Sequence, residues 1–114
     1  MKVIKRKASE IKKEEAHGGS GSRKVYADKT ITKNENFEAM THGYLPAGKT
    51  FDWHSHEGLE EVMIVVEGKG YVEDEDGKYE YAPGDVFIFP ANIKHKIQNS
   101  SDEEHEMIFV RVKR

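Results

Sequence analysis

Three histidines and one glutamate carry the chemistry that can be read from this chain. His54, Ser55 and His56 are consecutive, four residues separate His56 from Glu61, and His95 follows much later. On an extended strand, side chains alternate between the two faces, so His54 and His56 are expected to point the same way and hold one ion between them. Three neutral imidazoles and a carboxylate form a mixed nitrogen and oxygen donor set. Such a set suits manganese, iron, nickel, cobalt or zinc and does not suit calcium or copper(I). The chain has no cysteine, which removes thiolate nucleophiles, disulfides, zinc ribbons and iron–sulfur ligation. Four protein ligands leave two positions on an octahedral ion, where a small anion can chelate.

The elements that must place these residues are short, strand-like and regularly punctuated, the pattern of an all-β sandwich or barrel. Expected strands cover residues 23–27, 37–45, 50–55, 61–67, 71–73, 78–81, 86–89, 95–98 and 105–112. Pro46-Ala47-Gly48 ends one strand, Gly68-Lys69-Gly70 reverses another, and Asp76-Gly77 suits a tight hairpin whose two central residues have positive φ. By parity, Met63, Val65 and Ile97 share the face of Glu61 and His95, as pocket wall or barrel filling, while Phe51 and Trp53 fall on the face opposite His54. After residue 22 no segment keeps a helical period. Residues 1–22 differ: they are rich in lysine and end in His17-Gly18-Gly19-Ser20-Gly21-Ser22. Ile4, Ala8 and Ile11 have helical spacing, but so few contacts do not hold an isolated helix in water. This segment reads as an N-terminal arm, ordered by packing on the body or a second subunit, or else disordered, with the β domain spanning 23–114.

A chain of 114 residues has the size of one domain, which excludes a two-lobed enzyme. Charged residues make up 34% with a net charge of −3, so the surface is mixed in sign and unlike that of a dedicated nucleic-acid binder. The longest apolar run, residues 62–66, is five long, against about 20 for a membrane span. A soluble, cytoplasmic protein without nucleic-acid or membrane partners is the expectation. Lysine and glutamate dominate the charges and Gln98 is the single glutamine, a composition like that of thermostable proteins from hyperthermophiles.

Gly48, five residues, His54, one residue, His56, four residues, Glu61, six residues, Gly68 is similar to the first motif of the cupin superfamily at every motif position. Gly84, five residues, Pro90, one residue, Asn92, two residues, His95, three residues, Asn99 resembles the second motif, with Asn92 where the family usually has glycine. Asparagine best tolerates the left-handed backbone that glycine supplies there. The resemblance implies a jelly-roll (double-stranded β-helix) barrel, usually dimeric, with one divalent metal held inside by His54, His56, Glu61 and His95. Six residues to Gly68 favour Glu61 over Glu60 as the ligand. The outward Val62, Ile64 and Val66 then need cover, which a homodimer provides.

Residues 81–90, Tyr-Ala-Pro-Gly-Asp-Val-Phe-Ile-Phe-Pro, look like the second motif of oxalate decarboxylase domains. That likeness implies manganese first, then iron, nickel or zinc, and a small carboxylate ligand such as oxalate. Two departures point to weak or altered activity: Phe51 stands where those enzymes place an arginine, and their glutamate-bearing lid segment has no counterpart. No catalytic residue is assigned; His42 and Tyr44 are the ionisable candidates for proton transfer, and His17 and His105 read as ordinary histidines. Iron-dependent dioxygenase chemistry and non-catalytic ligand binding are the alternatives.

Overall fold

The computed structural model describes residues 2–114. Its strands are β1 (Glu14–Ala16), β2 (Gly21–Asp28), β3 (Phe37–Leu45), β4 (Thr50–His54), β5 (Leu59–Glu67), β6 (Gly70–Asp74), β7 (Lys78–Tyr81), β8 (Val86–Phe89), β9 (His95–Gln98) and β10 (His105–Lys113). They form two antiparallel sheets, a six-stranded one in the order β1-β2-β3-β10-β5-β8 and a four-stranded one in the order β4-β9-β6-β7. One short helix, α1 (Lys29–Thr32), joins β2 to β3, capped by the Asp28 carboxylate, which accepts from the amides of Thr30 and Ile31.

Alternation builds the core. In β5, Glu61, Met63 and Val65 are buried while Val62, Ile64 and Val66 face outward, and β10 repeats the pattern with His105, Met107 and Phe109 inside. Leu45, Phe51, Val72, Tyr81, Phe89 and Ile97 complete the cluster between the sheets. This is the jelly-roll arrangement that the two motifs imply. Gly68 is required by close approach as well as by its φ of +106°, because a Cβ there would lie 2.1 Å from the His105 ring.

One local expectation is corrected. Neither Asp76 nor Gly77 has positive φ. The Asp74 amide donates to the Gly77 carbonyl (3.0 Å) and the Asp74 carboxylate accepts from the amides of Asp76 (2.8 Å) and Gly77 (3.0 Å), so the turn is built around Glu75 and Asp76 and not around Asp76 and Gly77. In the N-terminal segment, Ile4, Ala8 and Ile11 do not share a helix; 3₁₀ turns form at Ala8–Glu10 and His17–Gly19. The segment lies along the body instead. β1 pairs with β2, Lys24 donates to the Ala8 carbonyl (2.8 Å), and Arg6 donates to the carbonyls of Val25 and Tyr26. Among the described residues no helix is long and apolar enough to cross a membrane.

Candidate metal centre

His54, His56, Glu61 and His95 each offer one donor atom, and the four atoms lie within 4.8 Å of one another. His54 ends β4 and His95 begins β9, where the two residues are cross-strand partners. Glu61 comes from β5, in the other sheet. Its Oε2 is 3.3 Å from His56 Nε2, and its Oε1 is 3.6 Å from His95 Nε2. Glu60 stays outside the group; Glu61 is only 2% exposed and His95 only 1%.

Backbone carbonyls set the tautomers. His54 Nδ1 lies 2.6 Å from the Asp52 carbonyl and His95 Nδ1 lies 3.0 Å from the Ile93 carbonyl. A carbonyl only accepts, so each Nδ1 carries the proton and each Nε2 keeps a free lone pair. Glu61 Oε1 and His95 Nε2 are buried without a hydrogen-bond partner among the described residues. Leaving such groups unpaired costs about 1–3 kcal/mol each, and a cation between them supplies the missing partner. The donor set and these two orphaned atoms fit a divalent transition ion. Burial alone would raise the Glu61 carboxyl, but the imidazoles of His56 and His95 and the Arg111 guanidinium outweigh it and hold it down to about 2. Burial, followed by the neighbouring imidazoles, lowers His54 and so favours the neutral, ligating form.

Strand alternation does not account for the whole arrangement. β4 ends at His54, so His56 projects from the following loop and not from the strand. That loop is fixed from the second motif: the Asn92 amide donates to the His56 carbonyl (3.2 Å) and the Asn92 side-chain oxygen accepts from the Gly58 amide (3.0 Å). Asn92 has φ +68°, the left-handed conformation that asparagine tolerates. A register shift between Phe51 and His54 also breaks the parity of β4. Phe51 is therefore buried and lines the same pocket as His54, contrary to expectation, whereas Trp53 stays largely exposed beneath the Lys96 ammonium.

Beside the four donors lies a cavity of about 30 Å³, reached by His17, Arg23, Thr41, Phe51 and Arg111. His17 comes from the arm. Its ring stacks on Phe51 at 4.3 Å and meets His54 edge-on at 4.7 Å, and burial followed by the nearby His54 lowers its pKa to about 4. His42 and Tyr44, the expected proton-transfer candidates, are not at the site. Thr41 and Gly43 point to the pocket, so their neighbours in β3 face the other side of the sheet. There His42 bridges the Tyr26 hydroxyl (2.7 Å) and the Glu106 carboxylate (2.8 Å), and the Lys13 ammonium sits over Tyr44. Sequence reasoning missed Arg111. Its parity with Met107 and Phe109 in β10 was the available signal.

Comparison with known proteins agrees with this architecture. The uncharacterized protein MJ1618 of Methanocaldococcus jannaschii is 29% identical over 99 residues, covering 87% of this chain and 78% of its own length. A predicted oxalate decarboxylase from Thermotoga maritima superposes with a TM-score of 0.88 at 22% identity, over 97% of this chain and all of the other. A sugar phosphate isomerase of the cupin superfamily from Silicibacter pomeroyi gives 0.80 at 19% identity, over 97% of this chain and 76% of the other. Ectoine synthase from P. lautus gives 0.81 at 16%, over 97% and 78%. At these identities the solved structures establish the fold alone, and their differing chemistry means that the fold does not select a reaction. The cupin domain model matches residues 41–111, a span that contains both histidine-bearing motifs, and the chain therefore belongs to the cupin superfamily.

Proposed function

We propose that this cupin binds one divalent transition ion through His54, His56, Glu61 and His95 and uses it to hold a small carboxylate such as oxalate. The observation that carries the reading is the pair of buried, unpartnered donor atoms, Glu61 Oε1 and His95 Nε2, inside a group of four donors. Bound there, a divalent ion supplies Lewis-acid charge for an anionic ligand. The protein's own part is to keep the donors neutral or singly charged, aligned and largely dry. Manganese is the first candidate, followed by iron, nickel or zinc, and loading with iron would suit dioxygenase chemistry. Binding is favoured over decarboxylation because His42 and Tyr44, the candidates for proton transfer, face away from the pocket, and losing a positioned acid or base typically costs about 10²- to 10⁴-fold.

Metal analysis of purified protein should give about one divalent ion per chain, and Glu61→Gln or His95→Ala should weaken metal binding by more than the roughly 10- to 100-fold typical of supporting residues. Calorimetry on manganese-loaded protein should show oxalate binding, with little formate or carbon dioxide released. Wild-type metal affinity in both variants would sink the assignment, and strong metal-dependent formate production would restore an oxalate decarboxylase. The reading includes a homodimer that covers Val62, Ile64 and Val66, residues 1–22 as an arm on the 23–114 barrel, and residence in the cytoplasm.

A further inference from the structure

We infer that Arg111 seats the second acidic group of the ligand, so that the pocket selects small dianions over monocarboxylates. The inference rests on the metal-centred reading above and adds to it a residue and a charge requirement. Arg111 lies in β10 directly opposite Glu61 of β5, on the inward face with Met107 and Phe109. Its side chain is 17% exposed, and Nη1 is 3.7 Å from Glu61 Oε2. That separation is an ion-pair contact but too long for a hydrogen bond. Among the described residues the Arg111 guanidinium donates to nothing else, and it lines the cavity beside the four donors. A planar fork of five N–H groups matched to carboxylate geometry is thus held in the wall with its hydrogen-bonding capacity unused.

The other arginine of the pocket is already committed, since Arg23 Nε donates to the Glu14 carboxylate at 2.9 Å. The imidazoles bring no charge when neutral. A divalent ion, the Glu61 carboxylate and the Arg111 guanidinium leave two positive charges in a partly dehydrated pocket, which a dianion neutralises and a monoanion only halves. Size sets a second limit. His17 and Phe51, stacked on each other, line the cavity, and at about 30 Å³ it leaves room for nothing larger than a small acid. Oxalate, with one carboxylate at the ion and the other toward Arg111, meets both conditions, whereas formate meets only the size limit and leaves one positive charge unbalanced.

Titration calorimetry with manganese-loaded wild type, Arg111→Met and Arg111→Lys tests this, with oxalate and formate as the two probes and manganese itself as the control. In Arg111→Met, oxalate affinity should fall by roughly 10- to 100-fold, the loss expected for a hydrogen bond between charged groups, while formate weakens by less than about threefold. Manganese affinity should hold or improve, because a positive charge has been removed from beside Glu61. Arg111→Lys keeps the charge without the fork and should fall between. Equal oxalate affinity in wild type and either variant would overturn the inference and leave the metal reading intact, as would an equal loss for both probes, which marks Arg111 as a mere counter-ion of Glu61. Oxalate that fails to bind metal-loaded wild type would overturn the small-acid reading and this inference together.

Discussion

Two backbone carbonyls govern how this site uses its imidazoles. By accepting from Nδ1 of His54 and of His95, the carbonyls of Asp52 and Ile93 hold both rings with Nε2 free, before any ligand is present. Another imidazole, fully buried, is used differently. His105 Nδ1 lies 2.6 Å from the Tyr81 hydroxyl and Nε2 lies 3.0 Å from Ser101 Oγ, in a pocket that Gly68 leaves open. Burial lowers its pKa from the ordinary 6.5, so the folded protein takes up this proton at lower pH than the unfolded chain does. The unfolded state therefore binds more protons between those two pKa values, and stability rises with pH across that window. The contribution of His105 is fully present above about 6.5 and is lost as pH falls through the folded value. Urea midpoints of the metal-free protein should drop on going from pH 7 to pH 5, and His105→Gln should flatten part of that slope. An unchanged slope in the variant would show that His105 titrates alike in both states.

The second motif positions the first. Asn92, in the turn before β9, closes on the loop after β4 through the Asn92 amide to the His56 carbonyl and the Gly58 amide to the Asn92 side chain. Its left-handed backbone makes that clasp, and for a β-branched residue the same φ costs at least about 1–2 kcal/mol. Asn92→Val should destabilise the fold by roughly 2 kcal/mol once the lost side-chain hydrogen bond is included, and it should also weaken metal binding by loosening His56. Asn92→Gly, which accepts the backbone freely, should lose only that hydrogen bond, about 1 kcal/mol, and weaken metal binding less than the valine variant does. Parallel denaturant melts and metal titrations of the two variants separate backbone strain from loss of the amide side chain, because only the valine variant carries both.

The outer face of the larger sheet has consequences for the whole molecule. β8 is its edge strand, with Ile88 67% exposed, and Val62, Ile64 and Val66 of the adjoining β5 lie beside it. A contiguous apolar face next to an unpaired edge calls for a partner. Light scattering should return twice the 13.0 kDa chain mass at micromolar concentration, and Ile88→Lys should return the chain mass without loss of metal binding. A monomeric wild type would remove the dimer from the reading. The strands from β2 onward and the inward parity of Met63 and Val65 were legible in the sequence because side-chain alternation is a local property, and Glu61 was preferred to Glu60 through the resemblance to the cupin motif, which sets six residues to Gly68. The bulge that turns Phe51 inward, the loop position of His56, the arm histidine over His54, and the approach of Arg111 to Glu61 were not. Each depends on which strands become neighbours and in what register, so residues 17, 54, 61 and 111 meet only through closure of the two sheets, and no short-range pattern in the chain encodes that closure.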